Sequence, residues 1–252
     1  MKLIDTSYVV PVSVTGNFCP MNCKHCRGIY LKHMVRVEEM ESFARSGRKV
    51  FLISGGMLPN GEIPFKPHEE VLRDLKERFS LLYNFHIGFP KKKPEVVERL
   101  ADVVSADFYA DSEVLKEVYG IRRDPDEILD VMLSFETPVV PHITIGALCG
   151  KLTHEYDALD VLSKHFRSVV LNVFVPTPLT AYENCPPPSV DDVVELFMYA
   201  RERFERVILG CMQPRGSYRK RLQSRLGFVY AITKPVLEGE RTHNCCAFEA
   251  IW

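Results

Sequence analysis

The sequence has no apolar run approaching the ~18 residues of a membrane-spanning helix, so no such helix is expected. It has almost no net charge. Its 32 basic side chains face 33 acidic ones, leaving −1, and that balance gives no general attraction for nucleic acid. The opening Met1-Lys2-Leu3-Ile4-Asp5 is not a secretion signal, because an acid interrupts the apolar stretch at once. Internal repeats and low-complexity linkers are missing too, which leaves the 252 residues to form one large domain with a substantial core. Eight cysteines without a secretion signal imply reduced thiols in the cytoplasm, free to bind metal.

What is present is an alternation. Strands are expected at Tyr8 to Val14, Val50 to Ile53, Phe85 to Phe89, Asp107 to Ala110, Val139 to Ile145, Val169 to Val175, Val207 to Leu209 and Phe228 to Ile232. Amphipathic stretches lie between them. Ala158, Leu159, Leu162 and Phe166 follow helical spacing, as do Val193, Phe197, Ala200 and Phe204. Ser189 with Asp192 forms a capping-box pattern, and Pro94 and Pro125 mark helix starts. Such alternation implies an α/β fold with a parallel sheet, a TIM-type (β/α) barrel of six to eight strands. The barrel is expected over 1–235, with 236–252 a C-terminal tail that carries a Cys pair. In a barrel of this kind the chemistry sits on loops at the C-terminal strand ends.

The first expected strand leads into Cys19-Pro20-Met21-Asn22-Cys23-Lys24-His25-Cys26, a C-x3-C-x2-C spacing. Three adjacent thiolates can hold three irons of a four-iron cluster and leave the fourth iron open to a small molecule. Two other readings compete. A zinc site wants a fourth thiolate or imidazole at short spacing, and His25, between two of the thiols, is awkwardly placed for that role. A redox dithiol of Cys23 and Cys26 would leave Cys19 unexplained.

Other strand ends offer further candidates. Ser54-Gly55-Gly56 presents bare backbone to a ligand. Asp111 either accepts hydrogen bonds from ribose hydroxyls or caps the helix that follows it. His142 reads as a packed core residue. Cys211 lies four residues before Arg215, and Cys245 adjoins Cys246. Neighbouring cysteines seldom form a disulfide, so in a reduced setting they read as metal ligands. Cys185 in a Pro-rich loop is a further candidate, and Cys149 could take its place. All of these residues could instead be packed or incidental.

The cysteine segment and its position after the first strand resemble those of the radical SAM enzymes, although His25 stands where that superfamily usually has an aromatic residue. The resemblance implies a radical SAM fold. It also implies a [4Fe–4S] cluster on Cys19, Cys23 and Cys26, with S-adenosylmethionine (SAM) on the open iron. Reduction by a donor such as ferredoxin would yield a 5'-deoxyadenosyl radical that abstracts hydrogen from the substrate. Carried over to this chain, Ser54, Gly55 and Gly56 would meet the methionine part of SAM, Asp111 the ribose, and Ile145 and Val175 the adenine. Met57 stands where the superfamily usually has an acid.

Cys-Pro-x-x-Cys-Lys-x-Cys is most similar to the biotin synthase form. The segment Leu209 to Gly216 with Cys245-Cys246 resembles the archaeal two-component lipoyl synthases. That implies a second iron–sulfur cluster on Cys185, Cys211, Cys245 and Cys246 with Arg215 near it, and sulfur insertion into a protein-bound octanoyl chain. The implied partners are an octanoylated carrier protein and a sister radical SAM subunit. The basic residues Arg215, Arg219, Lys220, Arg221 and Arg225 could dock an acidic carrier, or simply form a solvated helix. A single-cluster isomerase, a biotin-synthase-like enzyme acting on a small molecule, and a non-catalytic metal-binding scaffold subunit are the other readings.

Overall fold

The computed structural model describes all 252 residues. Eleven strands form one sheet in which every pairing is parallel. They are β1 Lys2–Asp5, β2 Val10–Ser13, β3 Val35–Arg36, β4 Val50–Ser54, β5 Leu82–His86 and β6 Val103–Asp107, then β7 Val139–Ile145, β8 Ser168–Val173, β9 Arg206–Leu209, β10 Ala231–Thr233 and β11 Arg241–His243. Nine α-helices accompany them: α1 Met40–Arg45, α2 Glu69–Phe79, α3 Glu95–Leu100, α4 Ser112–Tyr119, α5 Pro125–Leu133, α6 Glu155–Leu162, α7 Val190–Arg201, α8 Ser217–Arg225 and α9 Cys246–Ile251.

The sheet order is β11-β1-β10-β9-β8-β7-β6-β5-β4-β2-β3. Eight steps separate β1 from β2 along this order, about 38 Å if the sheet were flat at ~4.8 Å per step. Yet only Thr6 to Val9 connect the two strands, and five chain steps reach at most about 18 Å. The sheet must therefore curl until its ends approach. The result is a curled parallel half-barrel with helices packed around it.

Most expected elements are present. β7 matches its expected range, and Ser189 caps α7 by accepting a hydrogen bond from the Asp192 N–H. Pro125 opens α5 as expected. Two strands sit earlier than expected. Phe89 belongs to the loop after β5, and Tyr109 to the loop after β6. Both aromatics are buried, and their apolarity mimicked a strand. β1, β3 and β11 were not expected. They are short, and β11 is exposed throughout, so none shows an alternation to detect.

The segment 236–252 folds back under the barrel. β11 pairs with β1, and α9 packs against β6, β7, β8 and β9. Phe248, fully buried, sits among Val103, Val140, Val170 and Ile208 near the N-terminal strand ends. This end is called the floor below; the opposite end, where the C-terminal loops lie, is the mouth.

Candidate active site

The cysteine loop begins where β2 ends. Its turns are local: the Cys26 and Arg27 N–H groups both donate to the Cys23 carbonyl. Arg27 and Gly28 take positive φ, 46° and 71°, which brings the chain back over Cys19. The loop is also tied to its surroundings. Lys24 N–H donates to the Val118 carbonyl of α4, and Tyr182 N–H donates to the Lys24 carbonyl.

Gly56 explains why a glycine pair follows β4. A Cβ there would stand 2.2 Å from the Phe18 carbonyl oxygen and 2.7 Å from Cys19 Cα. No side chain can occupy that space, so the cysteine loop rests directly on bare backbone. The Gly56 N–H donates to Thr15 Oγ1 at 2.7 Å, which locks the two loops together.

A cavity of about 320 Å³ opens beside this loop, within the range of small-molecule sites. Cys19, Cys23, Cys26, Ser54, Gly55, Gly56 and Val175 all line it. Of its 28 lining residues 18 are hydrophobic, so polar recognition falls to a few groups. One is His25, whose Nδ1 is buried without a hydrogen-bond partner. The others include His86 and Asp107, whose Nε2 and Oδ2 lie 3.4 Å apart. Burial pushes His86 down, but the Asp107 carboxylate outweighs it and leaves the imidazole above its ordinary value. Burial likewise pushes Asp107 up, and His86 overrides it, so the acid is held below its usual range. The two groups thus favour the ion pair.

Several expected site residues lie elsewhere. Asp111 caps α4, accepting from the Glu113 and Val114 N–H groups at 2.8 and 3.3 Å; it does not line the cavity. The acid that does is Asp107, which the late placement of the strand had hidden. Ile145 is fully buried in the wall, and Thr144 and Ala147 line the cavity beside it.

Cys185 is not with the floor cysteines. It is disulfide-bonded to Cys149, joining the loops after β7 and β8 with Cα atoms 5.1 Å apart. That pair also corrects the expectation that every thiol stays reduced. The two loops are already pressed together, since a Cβ on Gly150 would meet the Pro186 carbonyl oxygen at 1.9 Å. Arg215 is exposed. Arg219 is the arginine that feels Cys211, whose own cationic neighbour is Lys234; the Arg219 Nη2 donates to the Gln213 carbonyl at 3.0 Å.

The other three thiols converge on the floor. Cys211, Cys245 and Cys246 lie close enough to share a proton: Cys246 holds it and is pushed up, which keeps Cys211 and Cys245 below the ordinary thiol value. Asn84 Nδ2 donates to Cys245 Sγ at 3.2 Å and is itself oriented by the Ser105 hydroxyl, which donates to its Oδ1 at 2.9 Å. His142 Nε2 lies 3.8 Å from Cys246 Sγ. Burial and the neighbouring His86 lower His142 to about 4, so it is neutral. Met212, next to Cys211, lines the cavity, so this group abuts the cavity's lower end. Neither Asn84 nor the role of His142 leaves a mark in the sequence, because only the fold brings them to the thiols.

Both triads have donor sets that suit iron and sulfide. Their thiols are not spread around a ready-made metal position: no three Cys, His, Asp or Glu side chains form one. In the mouth triad, Cys23 and Cys26 hydrogen-bond each other, which raises Cys23 and lowers Cys26. The fit of the mouth site to a cluster and SAM rests on three thiols at one cavity wall, the bare Gly56 backbone and the unpartnered His25 Nδ1.

No family model matches this chain. No curated protein matches it either. Among solved structures, the chain is similar to methylornithine synthase (PylB), with a TM-score of 0.62 and 12% identity over 96% of this chain and 79% of that one. A psychrophilic glycoside hydrolase family 10 endo-beta-1,4-xylanase is less similar, with a TM-score of 0.44 and 10% identity over 92% of this chain and 85% of that one. So is a putative lyase/mutase from Burkholderia cenocepacia J2315, with a TM-score of 0.40 and 10% identity over 89% and 74%. Neither of these last two bears on the reading. No helix of the chain is long and apolar enough to cross a membrane. With its all-parallel curled sheet and the PylB match, the chain has a (β/α)-barrel fold similar to that of methylornithine synthase.

Proposed function

We propose that this protein is a cytoplasmic radical SAM enzyme that inserts sulfur into an unactivated C–H bond, its substrate an octanoyl chain carried on a protein lysine. The observation that carries this reading is that Cys211, Cys245 and Cys246 perturb one another beside Met212, which lines the same cavity as Cys19, Cys23 and Cys26. Cys19, Cys23 and Cys26 would hold a [4Fe–4S] cluster that, given one electron from a donor, would supply a hydrogen-abstracting radical from SAM, and Cys211, Cys245 and Cys246 would hold a second cluster that would supply sulfur.

The chain's own residues set the conditions. Gly56 lets the cysteine loop approach, and Ser54 and Gly55 offer backbone beside it. The largely hydrophobic lining suits an aliphatic chain and keeps water from a reactive carbon. The electron donor would be a small redox protein such as a ferredoxin, with a sister radical SAM subunit sharing the two sulfur insertions. An acidic carrier domain would meet α8, where Lys220 and Arg221 are exposed, while Arg225 is paired with Asp191.

The test is an iron and sulfide count on anaerobically reconstituted protein, wild type against a Cys19/Cys23/Cys26→Ala triple variant. Retention of about four irons in the variant supports sulfur insertion. Loss of nearly all iron sinks it and leaves a one-cluster radical enzyme. Wild type that forms no 5'-deoxyadenosine from SAM under any reductant would instead be a metal-binding scaffold.

A further inference from the structure

The floor triad needs a fourth donor. Cys185, a candidate from the sequence, is committed to Cys149, and Arg215 is exposed. We infer that His142 Nε2 is the fourth protein ligand of the metal centre on Cys211, Cys245 and Cys246. This rests on the reading that the floor thiols bind metal.

Three observations carry it. His142 Nδ1 lies 3.0 Å from the carbonyl of Val140. A carbonyl can only accept, so Nδ1 carries the proton in the neutral ring and Nε2 presents a bare lone pair. A backbone carbonyl behind the ring is the usual support of a metal-bound imidazole. Next, that lone pair faces sulfur, with Cys246 Sγ 3.8 Å away. Two ligands of one tetrahedral ion, a thiolate at ~2.3 Å and an imidazole at ~2.05 Å, stand about 3.6 Å apart. Finally, the setting is built for the purpose. His142 is 4% exposed, and Cys245 and Cys246 are 5% and 7% exposed. Asn84 holds Cys245 while Ser105 holds Asn84. A purely structural core would gain nothing from three thiols, an imidazole and an amide among Val103, Val140, Val170 and Phe248.

The donor set of three thiolates and one imidazole is thiophilic and closed. It can serve an iron–sulfur cluster or a single tetrahedral ion, and a cluster requires the donors to spread from their present contact. The 3.8 Å separation is that of two donors to one ion; in a cluster His142 and Cys246 would hold different irons and stand farther apart.

The experiment uses the full-length Cys19/Cys23/Cys26→Ala protein, so that only the floor centre is observed. It is reconstituted with iron and sulfide, reduced, and examined by pulsed electron paramagnetic resonance with 14N- and then 15N-histidine. A strongly coupled nitrogen that changes with the isotope, and disappears in H142C while the iron stays, is the expected result. A loaded cluster without such a nitrogen overturns the assignment but leaves the second cluster standing. Should the protein hold no iron, the cluster reading falls, and a Co²⁺ titration decides about His142 by itself. Thiolate charge-transfer bands with affinity lowered at least about tenfold in His142→Ala support it. Equal affinity in the two proteins, or no Co²⁺ binding at all, overturns it. Circular dichroism of both metal-free variants checks that the fold survives, and H142C restores a donor where H142A removes one.

Discussion

The mouth and floor triads each contain three thiols but are made in opposite ways. At the mouth, one loop brings Cys19, Cys23 and Cys26 together, and their spacing alone declares them. They face a cavity, and Cys19 and Cys26 are partly exposed. On the floor, Cys211 follows β9 while Cys245 and Cys246 precede and open α9, and His142 comes from the middle of β7. Those donors are joined only by the curling of the sheet. A local site tolerates change elsewhere in the fold; a site assembled from distant segments is as stable as the packing that assembles it.

That contrast can be broken or sharpened by mutation. The largest effect is expected from Cys19→Ala, which should reduce 5'-deoxyadenosine formation from SAM to background. Cys246→Ala should leave it within about threefold, because the floor thiols do not line the mouth loop. Chromatography of the reaction products reads both, and retained activity in Cys19→Ala would falsify the radical reading.

Next comes Phe248→Ala. Removing a fully buried ring from the floor should cost about 4 kcal/mol, measured by urea unfolding. Floor metal should be lost with it, while the mouth triad of the folded fraction still loads iron. Equal loss at both sites would mean that the two are not independent.

Gly56→Ala is expected to be milder in stability, about 2 kcal/mol, but local in effect. The new methyl group would displace Phe18 and Cys19, so SAM affinity should fall while the floor triad keeps its metal. Isothermal titration of SAM into the reconstituted variant checks this, and unchanged affinity would count against the Gly56 contact.

The smallest effect concerns His86 and Asp107, between the two sites. His86 is raised in the folded state, so its contribution is full below its unfolded value of about 6.5 and fades as pH rises through its folded value. Asp107 is lowered, so its contribution is present above about 4 and fades as pH falls through its folded value. The pair therefore stabilises most between about pH 4 and 6.5. Asp107→Asn should lower the His86 pKa, since burial then acts unopposed, and should flatten stability across that window by about 1 kcal/mol. Nitrogen NMR of the imidazole follows the first effect; an unshifted His86 would show that the ion pair is not formed.

How much of this was legible in the sequence follows the same division. Cys19, Cys23, Cys26, Ser54, Gly55 and Gly56 lie at strand ends, where local pattern and barrel logic agree. Val139 to Ile145 is apolar enough to declare its strand outright. Asp107 was missed because the buried aromatics at Phe89 and Tyr109 look like strand residues and shifted two strands toward the C-terminus. Asp111 carried both of its readings until the hydrogen bonds to Glu113 and Val114 showed the cap. Cys185 could not be separated from the floor set, since sequence order says nothing of which loops touch. Asn84 and His142 are ordinary buried polar residues until the barrel curls and turns them toward Cys245 and Cys246.

The short link from Thr6 to Val9 has a kinetic consequence. It ties together two strands that each lie one place in from opposite ends of the sheet order, and β1 pairs only with strands far along the chain, β10 in the register Lys2 with Ala231 and β11 in the register Leu3 with Arg241. Such a long-range pairing carries a large loop-closure cost before any contact rewards it, and chains dominated by pairings of this kind fold slowly. The final curling of the sheet is thus a late event, and until it happens the floor has no walls. Iron supplied before that moment would meet the mouth loop ready and the floor donors still scattered, so the two centres should fill in that order.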